Sequence, residues 1–325
     1  MTVSAGERRD SSERIIVTRI FDFDGPNMNK GFINLRAAEH PEEKRLHSII
    51  EGMWERYEPY ADPDFRDGFA RDVDARFWEM YLGWTFLEAG HALLPTSERL
   101  REGGQPDLCV LTDSGRIWIE AIAPDEGNPG PDQVTRPVPM NEGGGLFAAP
   151  VRQAQLRMTS AFWTKFKVIK KYLKEGNIGA DDVRLIAISA SRFGVYVPEK
   201  PPLILTSLFP IGDAYITIDR ATDEIVEEGF HASPEIARQG KPVERTAFLN
   251  PLFSDVSGVL WSRVSLGNLS RKTRPLTYVH NPLATRPLQQ RFGVWDREFV
   301  TVIDGEHWEA IDILAPQVEM NQADV

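Results

Sequence analysis

The chain has 325 residues, enough to bury a sizeable core as one large domain or two ordinary ones. Its 42% hydrophobic and 26% charged content is that of a globular protein, and the single cysteine, Cys109, excludes an internal disulfide and every cysteine-cluster metal site. A net charge of −11, from 37 basic and 48 acidic residues, argues against indiscriminate coating of nucleic acid, which needs a broad positive face.

No apolar run approaches the ~18–20 residues of a membrane helix. The polar opening MTVSAGERRDSSER lacks the apolar stretch of a secretory signal, so a cytoplasmic protein without a membrane partner is expected. Residues 1–14 are expected to form a disordered tail. Residues 15–75 read as a helical N-terminal extension: a β-branched run at 15–20, a Gly/Asn-rich turn, then charged helix broken by the Pro- and Asp-rich stretch 58–67. From Val73 to Glu88 runs a helix that is apolar almost all round, through Phe77, Trp78, Met80, Tyr81, Leu82, Trp84, Phe86 and Leu87. Such a helix is buried on most sides, and Gly90 stops it.

Three strand-like segments follow, at 91–95, 107–111 and 116–123. The turn Asp113-Ser114-Gly115 predicts a hairpin between the last two. The Gly/Pro-rich stretch 124–145 is too long for an ordinary connection and reads as a lid, a binding loop or disorder. Its run Gly143-Gly144-Gly145 is no phosphate loop, because no Lys-Ser/Thr follows it. Pro150 opens a helix to about 175 with Phe162, Phe166, Ile169 and Leu173 as its apolar stripe. The β-branched run at 183–189 is expected to be a central strand. Further strands are expected at 214–219, 256–261, 298–303 and 308–313, the last two joined at Asp304-Gly305. Residues 196–325 are therefore a strand-rich extension or a small second domain, and His280-Asn281-Pro282 reads as a turn.

Basic residues are unevenly placed. Seven Lys or Arg and no acid lie at 152–174, and the acid-free run 256–295 holds six more, between 263 and 291. These two stretches form either a local groove for nucleic acid or ordinary solvated faces. Oligomeric state is not legible.

The chemistry centres on two carboxylates. A hairpin turning near Asp113 and Ser114 pairs residues whose numbers sum to about 227, which sets Asp107 opposite Glu120 with both side chains on one face. Like charges so placed are destabilising unless a cation, or a basic side chain, lies between them. Glu79, on the buried helix, also needs a partner, and Arg76 at i−3 is the candidate.

Pro106-Asp107 and, thirteen positions on, Glu120 in Ile-Trp-Ile-Glu-Ala-Ile resembles the signature of the PD-(D/E)XK, restriction-endonuclease-like superfamily. The order helix, three strands, helix, strand over about 76–195 is similar to that family's core. The resemblance implies a mixed α/β fold and Mg²⁺- or Mn²⁺-dependent phosphodiester hydrolysis. The ion would be held by Asp107, Glu120 and the Ala121 carbonyl, with Glu79 acting directly or through water. The lysine expected two residues after the second acid is replaced by Ile122. Some members carry that cation on the following helix, where Lys165 and Arg157 are the candidates here. Lys165 flanks the apolar stripe and is placed to reach along the core; a solvent-facing lysine is the competing reading. Two other functions stay open: a catalytically degenerate nuclease fold serving as a nucleic-acid-binding or scaffold protein, and an unrelated carboxylate-based hydrolase.

Overall fold

The computed structural model describes residues 18–99, 102–135, 148–196, 200–269, 275–305 and 307–316. The tail expected at 1–14 and the Gly143–Gly145 run lie outside these residues.

Four helices form one layer: α1 (Lys30–Ala37), α2 (Pro41–Tyr57), α3 (Phe65–Arg71) and α4 (Val73–Glu88). Residues 15–38 thus carry a short helix where the sequence suggested only a strand-like run and a turn. Asn29 starts α1 by accepting the Gly31 N–H at 2.7 Å. Pro41 sits in the first turn of α2, where Glu43 reaches back to the His40 N–H at 3.0 Å. Leu46, Ile49, Ile50, Met53, Trp54 and Tyr57 bury one face of α2 against α3 and α4. α4 is buried nearly all round, as its composition requires, and its Trp78 indole N–H bonds the Ala187 carbonyl in the sheet at 3.1 Å.

Beside this layer lies a mixed eight-stranded sheet. Its strands are β1 (Ala92–Leu93), β2 (Leu108–Thr112), β3 (Gly115–Ile122) and β4 (Val183–Ser189), then, beyond an excursion, β9 (Gly258–Ser262), β10 (Leu276–His280), β11 (Arg297–Asp304) and β12 (His307–Asp312), hydrogen-bonded in that order. The excursion holds a two-stranded ribbon, β5 (Ile211–Ile218) and β6 (Ile225–Ala232), and a small pair, β7 (Glu235–Ile236) and β8 (Val243–Glu244). β2 and β3 are antiparallel, whereas β3, β4 and β9 run parallel. The β3–β4 crossover carries α5 (Val151–Glu175), which with α6 (Leu203–Leu208) covers the other face of the sheet.

Side-chain alternation sorts the core. Ile117, Ile119, Leu185 and Ala187 face the α1–α4 layer, while Trp118, Ile186 and Ile188 face α5 and α6. Cys109 is buried with the second set, as a small core residue, and burial pushes its thiol up to about 12. In the last third β9–β12 continue the main sheet, whereas β5–β6 and β7–β8 stand outside it. Four strands there, β6, β7, β8 and β10, carried no clear sequence signal. The turn read at 280–282 starts one residue later, because His280 closes β10. There His280 is buried and its Nε2 lies 2.7 Å from Glu298. Among the described residues, no helix is long and apolar enough to cross a membrane.

Candidate active site

The hairpin register is the one the turn predicts. Leu108 pairs Ile119 and Thr112 pairs Gly115, so one residue further along the ladder Asp107 comes opposite Glu120. Parity puts both side chains on the α5 face. Asp107 stands just before β2 begins, where the neighbouring edge of β3 loses its strand partner. Its Oδ2 fills part of that gap by accepting the Ala121 N–H at 2.6 Å. The peptide that the resemblance would use as a ligand through its carbonyl is therefore fixed to Asp107 through its N–H.

α5 crosses this face and sends Lys165 to Glu120. Its Nζ donates to Glu120 Oε1 at 2.6 Å, and its side chain is only 17% exposed. Lys165 belongs to the site, not to the solvated surface. Arg157 does not reach it. Its guanidinium is spent on Asp125, through the carbonyl at 2.9 Å and the carboxylate at 2.7 Å. The reason is register: Arg157 lies eight residues N-terminal to Lys165, about 12 Å along the helix, beyond the end of β3.

Glu79 approaches from α4 and is 4% exposed. Arg76 holds its Oε2 at 2.8 Å, as the i−3 spacing suggested, and the Tyr57 hydroxyl donates to its Oε1 at 2.9 Å. Tyr57 escaped the sequence reading because it lies on another helix, 22 residues upstream, and looks like any apolar-face tyrosine there.

The electrostatics bind these groups into one cluster. Burial, then the Asp107 charge, pushes Glu120 up to about 8 against the opposing pull of Lys165. Burial and Asp107 likewise raise Glu79 to about 7, opposed by Arg76 and Tyr57. For Lys165, burial works downward but is outweighed by Glu120, Asp107 and Glu79, so its ammonium is held above the ordinary lysine value. Nearby, burial and then the charges of Glu120 and Asp107 push the Tyr172 phenol up to about 12.

One polar atom in the cluster is unmatched. Glu120 is 5% exposed, and its Oε2 is buried without a hydrogen-bond partner. A buried carboxylate oxygen of this kind costs free energy unless a cation or donor meets it. Among the described residues, no three or more His, Cys, Asp or Glu stand close enough together to hold a metal ion. The donor set on offer is sparser: Glu120 Oε2, Asp107 and main-chain oxygen. That suits a hard cation which keeps several of its waters.

Several cations of the basic stretches pair with acids of the chain among the described residues. Arg152 pairs with Asp132, Lys170 with Asp255, Lys171 with Glu175 and Arg286 with Asp181. Arg271, Lys272 and Arg274 lie outside the described residues. No family model, curated protein or solved structure matches the chain.

Proposed function

We propose that the chain is a metal-dependent phosphodiesterase of the PD-(D/E)XK type, acting on nucleic acid. One observation carries this reading: Lys165, from the helix after the hairpin, meets Glu120 at 2.6 Å opposite Asp107, where Ile122 leaves the usual lysine position apolar. The helix–three strands–helix–strand order around it supports the same fold family.

Glu120 Oε2 and Asp107 would hold Mg²⁺ or Mn²⁺. Because the N–H and C=O of one strand residue lie on the same edge, the Ala121 carbonyl faces the gap that Asp107 occupies and is available as a third oxygen. The bound ion would lower the pKa of its water and neutralise charge on the phosphate. Lys165 stabilises negative charge from a rigid helix, held ionised by the acids around it. Glu79, held by Arg76 and Tyr57, adds a carboxyl group electrostatically coupled to the two ligands.

The competing reading, a nuclease fold retained as a binding scaffold, draws on the internal pairing of Arg152, Arg157, Lys170 and Arg286, which leaves fewer cations for phosphates. A cleavage assay on DNA and RNA with Mg²⁺ or Mn²⁺ separates the two. Wild type should cleave, and Asp107→Ala and Glu120→Ala should not. Cleavage surviving both substitutions would sink this site, and a wild type that neither cleaves nor binds metal would favour the scaffold.

A further inference from the structure

Glu79 is gripped on both oxygens from two directions, and each grip is itself built into the N-terminal helical layer. Tyr57, the last residue of α2, is fully buried and stands edge-on to Phe65 at 5.4 Å. It reaches Glu79 only because position 83 of α4 is glycine. A Cβ there would come within 2.4 Å of the tyrosine ring. Arg76 is aimed in the same way. Its guanidinium lies over the Phe65 ring at 5.5 Å, with Asp64 at 3.8 Å, and Gly68 leaves it room, since a Cβ there would meet Nε at 2.6 Å. Phe65 thus packs against both residues that hold Glu79.

A buried ion pair needs one partner for its acid; a hydroxyl on the second oxygen from a separate helix adds direction. With Oε1 and Oε2 each taking a donor, Glu79 cannot swing toward Asp107 and Glu120. It presents a carboxyl group of fixed orientation on the α4 side of them. We propose that Tyr57 and Arg76 form a clamp that fixes Glu79 behind the Asp107–Glu120 pair, making Tyr57 a positioning residue for the metal site. The helical layer is then a working part of the site as well as a support for the sheet. This rests on the metal reading given above.

The test is Mn²⁺ binding to the full chain by calorimetry, with thermal melting alongside, for wild type, Tyr57→Phe, Glu79→Gln and the double variant. Tyr57→Phe keeps the ring and its packing, so the melting temperature should hold within a few degrees. Mn²⁺ affinity should fall about tenfold, the low end for residues that orient a ligand set through another group. Glu79→Gln should weaken binding to a similar extent. In the double variant the tyrosine substitution should add nothing further, because its effect passes through Glu79. If cleavage is followed in parallel, kcat should fall with little change in KM.

A Tyr57→Phe protein that binds Mn²⁺ like wild type overturns the clamp, and so does an equal further loss on the Glu79→Gln background. Asp107→Ala keeps the two ideas apart. Should it abolish binding while Tyr57→Phe changes nothing, only the clamp falls. If wild type itself binds no Mn²⁺, or Asp107→Ala binds it undiminished, the metal reading falls and the clamp with it.

Discussion

Replacing Glu120 by glutamine removes the charge on which the site depends, and in the metal-free protein this should increase stability. Glu120 sits at about 8 in the folded chain against 4.5 for an ordinary glutamate. A carboxylate raised in this way contributes stability that is fully present below pH 4.5 and is lost as pH rises through 8. At about 1.4 kcal/mol per pH unit, ionising it in place costs roughly 4 kcal/mol by pH 8, where it is half ionised, and about 3 kcal/mol at pH 7. Glutamine is spared that loss. Its amide oxygen still accepts from Lys165, while its NH₂ occupies the place of the unmatched Oε2 and gives back about 1–2 kcal/mol where it finds no acceptor. Glu120→Gln should therefore be about 2–3 kcal/mol more stable than wild type at pH 8, and the advantage should shrink to nothing near pH 5. Urea denaturation with a chelator, from pH 5 to 9, measures this directly. A glutamine variant less stable than wild type at pH 8, or a difference independent of pH, would refute the reasoning.

Other substitutions probe the neighbours. Lys165→Met should slow metal-dependent cleavage by about 10²–10³-fold, yet bind Mn²⁺ at least as tightly as wild type because a competing ammonium has gone; calorimetry beside kinetics reads both. Arg157→Ala should leave cleavage within about threefold of wild type and cost no more than about 1 kcal/mol in denaturation, since its partner Asp125 is exposed and outside the site. Gly83→Ala should destabilise by about 1–3 kcal/mol, because the new Cβ collides with the Tyr57 ring; an unchanged melt would show that α2 and α4 are less closely fitted than described.

The sequence was most legible where a local rule sets geometry. The Asp-Ser-Gly turn fixes the β2–β3 register, and side-chain alternation then brings Asp107 and Glu120 to one face. Arg76 beside Glu79 follows from i,i+3 spacing on a helix. Lys165 was half legible: its place beside the apolar stripe allowed an inward path, but only the packing of α5 on the sheet chooses that path over solvent. Arg157 looked equivalent on charge and differs by two turns of helix. Tyr57 was not legible, because its role depends on how α2 packs on α4 and on the missing side chain at Gly83. The membership of β9–β12 in the main sheet was equally hidden, since strand order between segments distant in the chain leaves no mark in local sequence.

The most direct test of the account is where a divalent cation binds. Crystals soaked in Mn²⁺ should show an anomalous peak between Asp107 and Glu120 Oε2, about 2.1 Å from its oxygens, with Lys165 displaced from Glu120 or retained on its other oxygen. A site that stays empty at millimolar Mn²⁺, or a peak on residues elsewhere in the chain, would contradict the assignment of this carboxylate pair as a metal centre.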